Sequence, residues 1–265
     1  MSKALLTLNG VVYDTLIGHT GFVGGTLDRA HDFAHRFNSK NAEDMRGLTA
    51  SGVVCAGVYA EKWRANAEPE NDLAHVRQVF DLLSSIKTDN VVLISTVDLY
   101  DPPLERDETF EPDLATTHPY GRHRLMLEHW VRDRFPNTII LRLPGLFGPG
   151  LKKNVIFDLI QRHRLEFIHP DGQLQWLDIT RVPALLGTMA EKGIDRLNAV
   201  TEPLLTSELR DLILPGADIG GSAPPKAPRY DLRTLYGEAM GGQGGYIQSR
   251  AEVLHDLAAY AGSAR

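Results

Sequence analysis

Residues 15–24 read Thr15-Leu16-Ile17-Gly18-His19-Thr20-Gly21-Phe22-Val23-Gly24. This is an apolar run, a loop with glycines at i, i+3 and i+6, and the opening of a helical stretch. An apolar strand that turns through glycines into a helix is what a phosphate-bearing ligand requires. The chain turns tightly, the backbone approaches the anion, and the first N–H groups of the helix point at it. Gly18, Thr20, Gly21, Phe22, Val23 and Gly24 are therefore candidate pyrophosphate-binding residues. The same spacing also fits an ordinary glycine-rich turn, so its surroundings decide the reading.

Outward from this loop, short β-like runs alternate with helical stretches. A helix of about ten residues is expected from Phe22, with strands around Phe33 to Phe37 and over Val53-Val54-Cys55-Ala56. Leu73 to Ile86 carries Val76, Val79, Phe80 and Leu83 at helical spacing. Val91-Val92-Leu93-Ile94 is a buried-type strand, Pro119 to Phe135 a helix and Thr138-Ile139-Ile140-Leu141 the next strand. Continuous apolar strands separated by helices predict an α/β, Rossmann-type doubly wound parallel sheet covered on both faces. After Pro149 the pattern loosens. Helices are expected over Val155 to Arg164, Ser207 to Ile213 and Ser249 to Tyr260, with loop over the Gly- and Pro-rich residues 215–245. Leu174 to Ile179 reads as a strand returning to the sheet, with Trp176 as packing. The expected organisation is a dinucleotide-binding core over 1–149 and a small C-terminal substrate lobe over 150–265, either separate or integrated into one domain.

Composition narrows the function classes. The chain has 265 residues, 43% hydrophobic and 23% charged, with a net charge of −6. It is long enough for a sizeable core and too acidic for a general nucleic-acid or anionic-membrane binder. Its one cysteine, Cys55, precludes an intramolecular disulfide and Cys-based zinc sites, and is expected to be buried. The histidines show no metal-ligand spacing, so no metal is expected. No apolar run approaches a membrane span, and Met1 to Gly18 lacks a basic n-region. A cytoplasmic protein with no membrane partner is expected.

The end of the second strand usually reads the cofactor's 2′ position, where an acid favours NAD and a cation favours NADP. Here the stretch is Phe37-Asn38-Ser39-Lys40-Asn41, without an acid at the strand end. Asn38, Ser39 and Lys40 point to NADP rather than NAD; a solvated polar turn is the alternative.

From Val91 onward the spacing becomes more specific. The strand ends in Ser95-Thr96-Val97-Asp98-Leu99-Tyr100, and further on stand His118-Pro119-Tyr120-Gly121-Arg122-His123-Arg124 and Glu128. After the next strand comes Leu141-Arg142-Leu143-Pro144-Gly145-Leu146-Phe147-Gly148-Pro149-Gly150. With the glycine loop, these segments resemble the extended short-chain dehydrogenase/reductase superfamily, the NAD-dependent epimerase/dehydratase family, over residues 15–150. The resemblance implies a general acid/base at Tyr120, a substrate-orienting hydroxyl at Thr96, pyrophosphate contacts at Gly18, Gly21 and Gly24, and a nicotinamide-flanking segment at Pro144 and Gly145. Ala56 and Gly57 close the strand whose loop runs along the cofactor in that family.

Two departures stand out. The family's YxxxK lysine is Arg124 here. It shares a helix face with Tyr120, keeps the charge and offers a fork for ribose hydroxyls, but cannot relay a proton by deprotonating. The alternative for Arg124 is a solvated pair with Glu128. Secondly, only about a dozen residues separate Lys40 from Val53, so the sheet is expected to lack one edge strand. Weaker substrate candidates are Lys62 and Asn66, against a helix start with Trp63 as packing, and Lys152, Lys153 and Asn154. His75 stands near the family's proton-relay Asn, with a helix-surface histidine as the alternative. Lys40, Lys62, Arg124, Lys152 and Lys153 are expected to supply positive charge to one cleft. The implied function is an NAD(P)-dependent oxidoreductase or sugar epimerase/dehydratase acting on a small-molecule, anionic substrate of the nucleotide-sugar kind, in a homodimer. The competing reading is a non-catalytic NADP-binding sensor or interaction protein on the same fold.

Overall fold

The computed structural model describes residues 3–264. Its strands are β1 (Leu6–Leu8), β2 (Val11–Tyr13), β3 (Thr15–Ile17), β4 (His35–Phe37), β5 (Val53–Cys55), β6 (Asn90–Thr96), β7 (Asn137–Leu143), β8 (Gly145–Phe147), β9 (Gln173–Leu174), β10 (Trp176–Asp178), β11 (Arg196–Asn198) and β12 (Leu204–Leu205). Its helices are α1 (Phe22–Ala30), α2 (Lys62–Ala67), α3 (Pro69–Ser84), α4 (Pro119–Arg134), α5 (Val155–Gln161), α6 (Val182–Lys192), α7 (Thr206–Ile213) and α8 (Arg250–Ser263).

Six strands form one sheet in the order β11-β7-β6-β5-β3-β4. The pairings β3–β4, β3–β5 and β5–β6 are parallel, with Thr15 opposite both His35 and Val53. Val53, Val54 and Cys55 are all fully buried, as a strand covered on both faces requires. Strand order reverses at β3, which has β4 on one side and β5 on the other. In open α/β sheets ligands bind at this switch point, outside the carboxyl ends of the strands.

The expected loss of an edge strand is observed. β4 ends its side of the sheet, and between it and β5 the chain makes only a 3₁₀ turn, Ala42–Met45. Two elements differ from expectation. Leu174 to Ile179 does not return to the six-stranded sheet: β10 pairs with β8 and β9 with β12. The sixth strand is instead β11, preceded by α6. Residues 6–13, unassigned from sequence, form the antiparallel hairpin β1–β2.

The chain divides into two compact units. The first comprises Met1–Asp101, Phe110–Arg142 and Val182–Leu197; the second comprises Pro102–Thr109, Leu143–Arg181 and Asn198–Arg265. In the first, Val76, Val79, Leu82 and Leu83 of α3 and Leu127 and Val131 of α4 pack with Val53, Cys55, Val91 and Leu93 of the sheet. In the second, Phe147, Trp176, Leu204, Leu209 and Leu257 form a separate core. Among the described residues no helix is long and apolar enough to cross a membrane, and no cluster of three or more His, Cys, Asp or Glu residues is placed to hold a metal.

Candidate active site

The glycine loop is built by close backbone approach. Gly18 has φ +86°, and a Cβ there would lie 2.3 Å from the Ala56 carbonyl oxygen and 2.8 Å from the Gly57 Cα. Its N–H donates to Phe37 O at 2.7 Å, while Ala56 N–H donates to Ile17 O at 2.9 Å. The carboxyl ends of β3, β4 and β5 therefore converge on this one residue. A Cβ at Gly24 would meet Gly18 O at 2.1 Å, so α1 packs directly on the turn. Gly21 differs: a Cβ there would meet only Gly18 O, at 3.2 Å. Gly21 caps α1 without a side-chain hydrogen bond, and the first turn holds no acid. The first N–H groups of α1 are thus left for an external acceptor. Thr20 and Gly21 are exposed, and Phe22 and Val23 half-buried. This arrangement fits a dinucleotide pyrophosphate.

After β4 the loop is tied by its asparagines. Asn38 N–H donates to Asn41 Oδ1 and Lys40 N–H to Asn38 Oδ1, both at 2.8 Å. The Asn38 amide also meets His19 Nε2 at 3.0 Å. Ser39 and Lys40 remain exposed at the tip.

Thr96, Tyr120 and Arg124 come together in the first unit, exposed by only 9%, 6% and 4%. Thr96 ends β6, and its Oγ1 accepts from Asp98 N–H at 3.1 Å. Tyr120 lies in the first turn of α4, which starts with Pro119. Asn66 Oδ1 accepts from Tyr120 N–H at 3.0 Å and His118 Nδ1 from Gly121 N–H at 3.2 Å, so two side chains cap the helix. A Cβ at Gly121 would lie 2.3 Å from Asp98 O, and its absence lets α4 close on the 3₁₀ turn Val97–Leu99. Burial pushes the Tyr120 phenol up to about 12, against the pull of Arg124 and of a hydrogen bond with Thr96. The phenol is therefore protonated at neutral pH.

Arg124 does not pair with Glu128. Its Nη1 donates to Asp72 Oδ2 at 2.5 Å and to Tyr120 O at 3.1 Å; its Nη2 donates to Tyr59 O at 2.7 Å and to Asp72 Oδ1 at 2.8 Å. Every terminal N–H of the fork is engaged within the protein. The guanidinium carbon lies 3.9 Å from the centre of the Tyr120 ring. Glu128 is instead paired with Arg142. It accepts from Arg142 Nη2 at 2.6 Å, from Arg142 Nε at 3.0 and 3.2 Å, and from Ser95 Oγ at 2.5 Å. Arg142, fully buried, also donates to the Tyr100 hydroxyl at 2.7 Å.

The remaining candidates fare differently. Lys62 is engaged by Asp98 at 2.7 Å, and Asn66 serves as a helix cap. Trp63 is not packing: it is 70% exposed. His75 is not a plain surface histidine. It is half-buried, stacks on Tyr59 at 3.9 Å between ring centres, and has a buried Nε2 without a hydrogen-bond partner. Arg124 and Lys62 are each paired with a carboxylate, Asp72 and Asp98 respectively. In the second unit, Asn154 caps α5 by accepting from Phe157 N–H, with Lys152 and Lys153 exposed beside it. Pro144 is half-buried, and a Cβ at Gly145 would strike the Trp176 ring at 2.7 Å. Trp176 is buried, as expected, and so is Cys55, whose thiol burial pushes up to about 11. The residues that sequence reasoning missed are Asp72, Tyr59 and Asp98. Asp72 carries the signal of an acid in the first turn of α3, but that position normally serves only the helix.

The model of the NAD dependent epimerase/dehydratase family matches residues 28–180, more than half of the chain. The chain belongs to this family. A comparison with curated proteins finds no match. Solved structures agree on the fold. The dTDP-4-dehydrorhamnose reductase of Bacillus anthracis, in complex with NADP, is 16% identical with a TM-score of 0.68, over 93% of this chain and 99% of that one. The UDP-N-acetylglucosamine 4-epimerase of Bacillus cereus is also 16% identical, with a TM-score of 0.62 over 94% and 98%. The UDP-glucose 4-epimerase of Thermus thermophilus, in complex with NAD, is 16% identical with a TM-score of 0.64 over 86% and 93%.

Proposed function

We propose that this protein is an NADP-dependent carbonyl reductase of the family, acting on a small sugar-type substrate. The observation that carries the reading is the Thr96–Tyr120 pair, a buried, protonated phenol hydrogen-bonded to a threonine. A phenol keeps its proton at neutral pH and can give it to a carbonyl oxygen as charge develops there. The turn at Gly18 to Gly24 and the open N-terminus of α1 would hold the pyrophosphate, and Ser39 and Lys40 would take the 2′-phosphate. A nicotinamide, when bound, supplies the hydride that a carbonyl carbon accepts. Tyr120 Oη gives its proton to the carbonyl oxygen, which Thr96 Oγ1 orients, and the resulting phenolate regains a proton from solvent. Arg124 lends fixed positive charge at the ring face, which favours that transient phenolate.

The test measures NADPH and NADH binding by fluorescence, then deuteride transfer from labelled NADPH to a panel of nucleotide-linked ketosugars and simple ketones. Binding of NADPH, with transfer that Tyr120→Phe abolishes, is the expected result. Failure to bind either dinucleotide rejects the reading. The engagement of every terminal N–H of Arg124 favours a second reading, a non-catalytic NADP-binding sensor, for which NADPH binds with no transfer across the panel.

A further inference from the structure

We infer that Asp72 is the positioning residue of this site: it holds the Arg124 guanidinium over the Tyr120 ring and balances its charge, confining Arg124 to the role of a fixed counterion. The inference rests on the reading of Tyr120 as the proton donor. It names the residue that makes an arginine workable where the family pattern has a lysine.

Asp72 lies in the first turn of α3, while Arg124 lies one turn beyond Tyr120 on α4. The Asp72 side chain is only 7% exposed. Its carboxylate accepts two hydrogen bonds from Arg124, at 2.5 and 2.8 Å, and meets His123 Nδ1 at 2.7 Å. Fork-to-carboxylate pairing fixes the guanidinium's position as well as its charge, and here its carbon is held 3.9 Å from the centre of the Tyr120 ring. A lysine ammonium is a point charge on a flexible stem. With Tyr59 O and Tyr120 O on its other terminal hydrogens, the guanidinium has neither a free terminal donor nor a proton to relay.

The charged and polar groups around Tyr120 come from each packed element. They are Arg124 on its own helix, His118 capping that helix, Asp72 on α3, Asp98 on the 3₁₀ turn, Thr96 on β6, and Lys62 on α2, which is paired with Asp98. Asp72 and Asp98 favour the neutral phenol; Arg124 opposes them. Removing the Asp72 charge leaves Arg124 unmatched beside the ring, so the phenolate gains.

The experiment reads tyrosinate absorbance near 295 nm in the full chain without added nucleotide, with each protein paired with its own Tyr120→Phe counterpart. The pairing subtracts the other seven of the eight tyrosines. At about pH 11 the wild-type pair should differ by about a tenth of a tyrosinate, given a phenol near 12. The Asp72→Asn pair should differ by clearly more than the wild-type pair, because the Asp72 charge no longer opposes the phenolate. Asp72→Glu, which keeps the carboxylate, should restore the wild-type result. An Asp72→Asn pair that is folded by circular dichroism and differs no more than wild type overturns the inference. If Asp72→Asn does not fold, ¹⁵N NMR of the unaltered protein decides. Arg124, assigned by loss of its signals in Arg124→Lys, should show separate, slowly exchanging Nη protons at neutral pH, and a freely rotating guanidinium overturns the inference. Neither readout needs a dinucleotide, so a protein that meets them without binding NADPH rejects the proposed function alone.

Discussion

Replacing Glu128 with glutamine tests how the catalytic elements are tied together. Glu128 on α4 receives Ser95 from β6 and Arg142 from β7, so one carboxylate joins the helix that carries Tyr120 to the strand that carries Thr96. Glutamine has nearly the same shape, but one oxygen becomes an NH₂ that faces either a guanidinium N–H or the Ser95 hydroxyl. Arg142, with no exposed surface, is left with an unmatched charge in the core. A guanidinium is too basic to be deprotonated in a protein even without its carboxylate partner, so it does not escape by losing its proton. Breaking a buried ion pair from one side costs about 3–5 kcal/mol. At roughly 2–4 °C per kcal/mol for a chain of this size, Tm falls by about 6–20 °C in differential scanning calorimetry. The double variant Glu128→Leu with Arg142→Met removes both charges and should recover most of that loss, since an apolar pair of similar volume is often neutral or better. A single-variant loss below about 3 °C, or a double variant worse than the single, refutes the reasoning.

Other outcomes follow from the same structure. Gly18→Ala, which combines a positive φ with a 2.3 Å approach to Ala56 O, should abolish NADPH binding by fluorescence titration; the conformation alone costs about 1–2 kcal/mol. Lys40→Glu should weaken NADPH by roughly 10–100-fold and leave NADH within a few-fold, the loss of a charged hydrogen bond being about 1.5–3 kcal/mol; equal losses for both dinucleotides would place the 2′ contact elsewhere. His75, His118 and His123 are all held below the ordinary imidazole value, chiefly by burial. The unfolded chain therefore binds protons first as pH falls, and Tm should drop from pH 7.5 to 5.5; a flat or rising Tm would contradict this. Asp72 is held below the usual carboxylate range, because its bonds to Arg124 and His123 outweigh its burial, so its contribution to stability is fully present above the ordinary carboxylate value and is lost as the pH falls from there through its depressed value.

The core of the fold was legible because its signals are local. The glycine turn, the apolar run at Val53 to Cys55 and the Tyr120-Gly121 pair each write their own geometry. The missing edge strand was legible as a distance, since Lys40 to Val53 leaves room for a turn and no more. What escaped depends on contacts between distant segments. Arg124 and Glu128 are the correct helical spacing for a pair, yet each finds a better partner, Asp72 and Arg142, which bring more hydrogen bonds and deeper burial. Leu174 to Ile179 has the apolar character of a sheet strand, but β8 stands ready to pair with β10. Trp63 has the character of a packing residue yet stands exposed, because whether a large apolar residue is covered depends on what the rest of the chain places over it.

The end of the sheet at β4 has a consequence for how the protein behaves among its own copies. An outermost strand offers unpaired N–H and C=O groups on which another chain can add, and long flat edges seed aggregates. β4 is only three residues long, and its central residue, Arg36, is held in ion pairs with Asp28 at 2.6 Å and Asp32 at 2.8 Å. Adding a fourth residue to that strand, or neutralising Arg36, would lengthen or unmask a template for strand addition that the present edge is too short and too charged to provide.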